Sequence, residues 1–184
     1  MVSDVLCEAG LRIPYGGAST HTGVYMALVP DLEFDCDGMI TEWEYDAKVT
    51  ESFSAIVFRH ETSQNFSIVG INVIPPAFGH IVYRVPESER VFVTNGDFIG
   101  WYTHDGTVLG FSSTASSVVY YDNSWDKSIA PGDLVETQTF DSQNRMYSIK
   151  AMVESSLSLS GLCGQNLKEY YEIFSSSHLN TLFS

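Results

Sequence analysis

Short runs of alternating apolar and polar residues, cut by Gly, Pro, Asn and Asp, dominate this chain and restrict its fold more than any other feature. A two-residue period marks a β-strand with one face against a core, because successive side chains leave opposite sides of the backbone. From Ile40 to Ala47 the alternation is strict: Thr41, Trp43, Tyr45 and Ala47 share one face, and Glu42, Glu44 and Asp46 share the other. Phe53–His60, Phe66–Ile74 (stopped by Pro75-Pro76), His80–Val85 (stopped by Pro86) and Val91–Val93 follow. A turn at Asn95-Gly96-Asp97 leads into Phe98–Thr103, and a second at Asp105-Gly106 into Thr107–Phe111. Val118–Tyr121, Leu134–Phe140 and Met146–Val153 complete the set, with further candidates near Leu11–Ile13 and Val24–Val29. About nine or ten strands at this spacing, with no helical pattern between them, predict an all-β fold, an antiparallel β-sandwich or jelly roll. Alternation with a polar face fits sheets that pack on one side, and no longer period repeats, which excludes propellers and solenoids.

The last thirty residues read differently. Ser155–Gly161 is Ser-rich and reads as a linker. Asn166 with Glu169 three residues on has the form of an N-cap and its capping-box partner. Leu167, Tyr170, Tyr171 and Phe174 then recur at helical spacing, which predicts a short amphipathic C-terminal helix. The expected organisation is a β-sandwich domain over 1–154 and a linker with helix over 155–184.

Composition narrows the function. With 184 residues the chain is long enough for one domain with a real core. Nine basic side chains stand against 23 acidic ones, a net charge of −14. The four Lys and five Arg are scattered, so no basic stripe exists for nucleic acid or anionic lipid. No apolar run reaches the length of a membrane span. The low charged fraction, 17%, with abundant Ser, Thr and Tyr, is an extracellular type of composition. A sequon at Asn65-Phe66-Ser67 points the same way, as a glycosylation site or as a chance tripeptide. Met1 leads directly into Val2-Ser3-Asp4, with no signal peptide pattern, and reads as the start of an excised or mature segment. In a secreted setting the three cysteines make one disulfide and one odd thiol. Cys7–Cys36 is the favoured pair, tying the N-terminal segment to the first core strand and leaving Cys163 free or paired outside the chain; three reduced, buried cysteines are the alternative.

Three segments carry candidate chemistry. Asp31 to Asp46 holds seven acids and no base. Asp35-Cys36-Asp37-Gly38 places hard oxygen ligands at a spacing that suits Ca2+, although the EF-hand pattern is incomplete. One reading is therefore a Ca2+ site built from Asp35, Asp37 and Glu42 or Glu44; the other is a solvated strand face that blunts edge pairing. The second segment, Asn95 to Gly106, puts Trp101, Tyr102, His104 and Asp105 near a loop. They form either a contact site for a sugar or a cation, or a core Trp101 with ordinary turns. In the third, Tyr120 to Asp126, consecutive aromatics cannot all face inward. Tyr121, Asp122 and Trp125 are candidates for a contact surface, or for a loop folded onto the sandwich end.

Catalytic templates are missing. There is no G-x-S-x-G, H-E-x-x-H, Walker loop or G-x-G-x-x-G. His21, His60, His80, His104 and His178 are scattered. Glu42 and Glu44 lie about 7 Å apart on one strand face, within the glycosidase range, but equally as alternate residues of a wet face. The chain reads as a non-enzyme, with a glycan-acting hydrolase as the minor alternative.

The run Cys36-Asp37-Gly38-Met39-Ile40-Thr41-Glu42-Trp43-Glu44-Tyr45-Asp46-Ala47 fits C-x-G-x-I-x-x-W-x-[FY]-x-A. With Phe66–Asn72 and Val93–Tyr102 after it, the order over residues 34–153 resembles a poorly characterised β-sandwich module of large secreted animal proteins, especially of marine invertebrates. That resemblance implies an extracellular, adhesive or matrix setting and brings no catalytic residues. Gly161-Leu162-Cys163-Gly164 and the stretch from Phe174 to Phe183 resemble the closing part of a von Willebrand factor type D domain, without the acidic loop that follows there. The combined expectation is a secreted recognition or adhesion module with an extracellular protein or glycan as partner. A lectin-like domain is the alternative, and self-association through Ca2+-bridged acidic faces is a further form of partnership.

Overall fold

The computed structural model describes residues 6–11, 23–27, 32–62, 64–103, 108–113, 118–122, 128–137 and 140–155. The predicted C-terminal helix and its linker from residue 156 onward lie outside them. Among the described residues the protein is all-β, every strand pairing being antiparallel. In chain order the strands are β1 (Leu6–Leu11), β2 (Gly23–Ala27), β3 (Gly38–Ala47), β4 (Phe53–Thr62), β5 (Asn65–Ile74), β6 (Gly79–Arg84), β7 (Phe92–Val93), β8 (Phe98–Thr103), β9 (Phe111–Ser112), β10 (Val118–Asp122), β11 (Leu134–Glu136), β12 (Asp141–Asn144), β13 (Met146–Tyr147) and β14 (Ile149–Ser155). A 3-10 turn, Glu87–Glu89, separates β6 from β7.

One sheet has the order β1-β14-β3-β6, with β7 taking over from β6 beside the start of β3. The second has seven strands, β11-β5-β4-β8-β2-β10-β12, and β9 and β13 form a small third ladder. The segment from Asp141 to Ser155 serves all three: β12 is an edge of the large sheet, β13 pairs with β9, and β14 sits inside the first sheet. Its corners are Arg145 and Ser148. At the second corner Ser148 N donates to Gly110 O (2.8 Å) and its hydroxyl to buried Asp46 (2.9 Å).

One apolar cluster joins the two large sheets. Ile40, Trp43, Tyr45, Ala151 and Val153 of the first meet Tyr25, Ala55, Val57, Ile99 and Trp101 of the second. The faces expected for β3 hold from Trp43 to Ala47. Earlier a bulge intervenes: Val153 pairs with Ile40 and Met152 with Glu42, so Thr41 is passed over. The bulge turns Ile40 inward, fully buried, and leaves Thr41 half-buried, its hydroxyl donating to Met152 O (3.3 Å). A buried polar link crosses the core, since Trp43 Nε1 donates to Asn72 Oδ1 (2.8 Å) and Asn72 Nδ2 donates to Glu89 O (2.7 Å). Two sheets and the 3-10 turn are thereby fixed in one register.

The expectation that sheets pack on one side is corrected for the seven-stranded sheet. Its other face carries a second cluster of Val24, Met26, Ile56, Phe58, Phe66 and Ile68, against which Val135, Ile129 and Phe140 pack. A run such as Phe53–Phe58 is nearly continuously apolar because both of its faces are covered. Gly100 makes the close approach on that side: a Cβ there would collide with the Phe58 ring and Tyr25 O.

Strand ends differ modestly from expectation. Within the expected Thr107–Phe111 strand, Leu109 makes an isolated bridge to Ala47 and regular pairing begins at Phe111. Leu134–Phe140 shortens to Leu134–Glu136, and Asp141–Asn144 adds a strand with no apolar residue at all.

Candidate functional site

Three adjacent strands, β8, β2 and β10, place aromatic residues on one rung: Trp101 pairs with Tyr25, and Tyr25 with Tyr121. Cross-strand neighbours stand about 5 Å apart, so the rings stack. Tyr25 lies 5.3 Å from Trp101 with planes 9° apart, and 5.8 Å from Tyr121 at 19°. The row grades outward, Trp101 and Tyr25 being fully buried and Tyr121 half-buried. Tyr147 caps the row from β13, its ring 4.6 Å from Trp101, 6.0 Å from Tyr25 and 5.5 Å from Phe111.

Polar groups collect at the same edge. The Tyr147 hydroxyl accepts from Gln143 Nε2 (2.8 Å) and Arg145 Nη1 (3.4 Å). Burial pushes the Tyr147 phenol pKa up, while Arg145 and Gln143 pull against it and nearby Tyr121 adds to the rise. The Arg145 guanidinium sits 4.2 Å from the Phe111 ring centroid, a cation–π contact. Deeper in, Trp101 Nε1 and Thr103 Oγ1 are buried without a hydrogen-bond partner. Two residues apart on β8, they face the same side of the sheet.

Of the expected contact residues, Trp101 is corrected: it is fully buried in the core and cannot touch a partner directly. An indole between Tyr25 and Tyr147 buries more apolar area there than any loop position would offer. Tyr102 and Asp122 flank Val24 on the next rung, both half-buried, and Tyr102 packs on the second cluster. The structure thus brings Tyr102, Tyr121 and Asp122 to one end of the seven-stranded sheet, although they come from distant segments. His104, Asp105 and Trp125 lie outside the described residues. Tyr25, Phe111, Gln143, Arg145 and Tyr147 were not anticipated. One signal for Arg145 was present, its rarity as a base in so acidic a chain.

The acidic segment resolves into two places. Asp35 and Asp37 lie on the loop before β3, latched to the Asn95-Gly96 turn: Asn95 N donates to Asp37 Oδ1 (2.8 Å) and Asn95 Nδ2 to Asp35 O (2.9 Å). Gly96 holds the positive φ of +90° that this turn requires. Glu42 and Glu44 lie on β3 among bases of neighbouring strands. Arg84 reaches Glu42 (3.1 Å), His80 reaches Glu44 (2.8 Å), and Lys150 bridges Glu8 (2.5 Å) and Glu44 (3.8 Å). Among the described residues the group of three potential metal ligands within mutual reach is Cys7, Asp35 and Cys36. Both cysteines are consumed in the Cys7–Cys36 disulfide (Cα–Cα 6.6 Å), the pairing expected from sequence. No three of Asp35, Asp37, Glu42 and Glu44 stand within mutual reach.

The same latch contains a two-pronged ion pair. Asp97, 1% exposed, receives Arg59 Nε (2.8 Å) and Nη2 (2.7 Å) side by side, and Thr94 N (2.8 Å). Hydrogen bonding to Asp97 raises the Arg59 pKa further, against the opposing effect of burial. Asn65 opens β5 at its hairpin turn, half-buried, its Nδ2 directed to Thr62 (3.4 Å). A comparison with family models, curated proteins and solved structures finds no match to this chain.

Proposed function

We propose that this protein is a secreted recognition or adhesion module, a two-layer β-sandwich of jelly-roll type that holds a ligand at the β8-β2-β10 end of its larger sheet. The observation that carries the reading is the graded aromatic row Trp101–Tyr25–Tyr121, buried at one end and half-buried at the other. Such a row makes a stiff platform whose outer ring is fixed in place, and rigid aromatics are what recognition surfaces use as anchors. The disulfide supports an oxidising, extracellular setting. Among the described residues no helix is long and apolar enough to cross a membrane.

The lectin-like form of this reading is favoured by the donors of Gln143 and Arg145 beside aromatic rings, a combination that suits a polyhydroxylated ligand. A hydrolase is disfavoured, because Glu42 and Glu44 are ion-paired to Arg84, His80 and Lys150. The test is binding of the purified protein to an oligosaccharide array and a panel of extracellular matrix proteins. At least one ligand is expected, with binding lost in Tyr121→Ala while the fold, read by circular dichroism, is kept. Binding unchanged in Tyr121→Ala, or a ligand mapped to the Glu42–Arg84 face, would remove the proposal.

A further inference from the structure

Six Lys and Arg side chains fall among the described residues, and four of them meet a carboxylate: Arg59 with Asp97, Arg84 with Glu42, Arg90 with Glu154, and Lys150 with Glu8 and Glu44. Lys48 and Arg145 do not. The Lys48 stem is laid against the Gly110 backbone, where a Cβ would meet it at 2.7 Å. Arg145 is different, because it is held in place and has no counter-charge among the described residues. Phe111 lies 4.2 Å beneath its guanidinium and the Tyr147 hydroxyl takes one N–H at 3.4 Å. In a chain with 23 acids and nine bases, a half-buried arginine that meets no acid among the described residues is an anomaly.

The donors around it have one sense. A guanidinium has five N–H groups in a planar fork and accepts nothing. Stacking on Phe111 uses its face, and Tyr147 uses one N–H, so the edge that matches a carboxylate remains. The Gln143 amide has a second N–H beyond the one given to Tyr147. The Tyr147 hydroxyl, fully buried and accepting from both side chains, fixes where they point. Arg145, Gln143, Phe111 and Tyr121 are all half-buried, so the group lies at a rim rather than in the core.

We infer that Arg145 and Gln143, both held by the buried Tyr147 hydroxyl, anchor the carboxylate of an acidic saccharide, with Phe111 and Tyr121 forming the apolar part of the site. The inference rests on the recognition reading and names its ligand class. A saccharide whose carboxylates are spaced by neutral sugars is favoured over an acidic peptide. The net charge of −14 and exposed Asp141 on neighbouring β12 repel a dense polyanion, whereas one carboxylate flanked by hydroxyls satisfies donors clustered about a point.

The test is isothermal titration of the intact protein with three probes: a tetrasaccharide of alternating glucuronate and N-acetylglucosamine, the neutral N-acetylglucosamine tetramer, and a polyglutamate peptide. The uronate probe is expected to bind at least about tenfold more tightly than the neutral one. Arg145→Gln is expected to erase that preference, and Arg145→Lys to keep only part of it, each with an unchanged melting temperature. Equal binding of uronate and neutral probes, lost in Tyr121→Ala, would sink the acid assignment and leave the recognition reading standing. A preference that survives Arg145→Gln, binding of polyglutamate alone, or no binding of any probe would each overturn the inference.

Discussion

At the scale of single residues, the described structure depends on a few buried polar groups whose partners come from far along the chain. Asp97 is the clearest. It accepts from Arg59 twice and from Thr94 N, joining β4 to the turn that leads into β8. Asp97→Ala strands the Thr94 N–H and leaves Arg59 to water, which reaches it because its side chain is 39% exposed. The expected loss is about 2–3 kcal/mol in urea unfolding, and a loss below about 0.5 kcal/mol would show that the pair is incidental. Tyr45 tests the opposite situation, a buried hydroxyl with no partner. Burial, and then nearby Tyr83, push its pKa up to about 12. The folded protein therefore holds a proton that the unfolded chain releases near pH 10. Stability from this residue is full below pH 10 and falls as pH rises from 10 through 12. Tyr45→Phe is expected to leave neutral-pH stability nearly unchanged and to flatten the alkaline fall in melting temperature.

At the scale of elements, the disulfide and the edge strand it holds belong together. Among the described residues β1 pairs only with β14 in the first sheet, and Cys7–Cys36 ties it to the loop before β3 across 29 residues. Closing a loop of that length contributes roughly 3–4 kcal/mol through the unfolded chain. Reduction, or Cys7→Ser with Cys36→Ser, is expected to remove that much, and hydrogen exchange should rise first in β1. Uniform exchange across β1, β14 and β3 would contradict a local role.

Strands whose alternation reflects one buried face, such as Trp43-Glu44-Tyr45, were legible in the sequence. Asp141–Asn144 was not, because an exposed edge strand needs no apolar residue to hold backbone hydrogen bonds. The bulge at Thr41 was hidden because it depends on how β14 pairs, and the second apolar face because Ile129, Val135 and Phe140, which pack there, lie far away in sequence. For the candidate site, Tyr121 and Asp122 were legible as aromatics and acids near a strand end. Their rung with Tyr25, and the capping by Tyr147, follow from strand order in the sheet, which no local pattern encodes.

At the scale of the whole molecule, the net charge of −14 is organised rather than diffuse. The acids of β3, a strand with no base of its own, find Arg84, His80 and Lys150 across the sheet, which makes that outer face a charge ladder. Chelation is accordingly expected to leave the melting temperature unchanged; a drop of several degrees with EDTA, restored by Ca2+, would place a cation at Asp35 after all. Beside that ladder, Arg145 stands out as a cation held in place that meets no acid among the described residues, at the edge where the aromatic row surfaces. The most direct test of the recognition account is amide chemical-shift mapping of the intact protein with the glucuronate-containing tetrasaccharide. The predicted result is saturable shifts at Phe111, Tyr121, Gln143, Arg145 and Tyr147. Shifts confined to the Glu42–Arg84 face, or none at all, would contradict it.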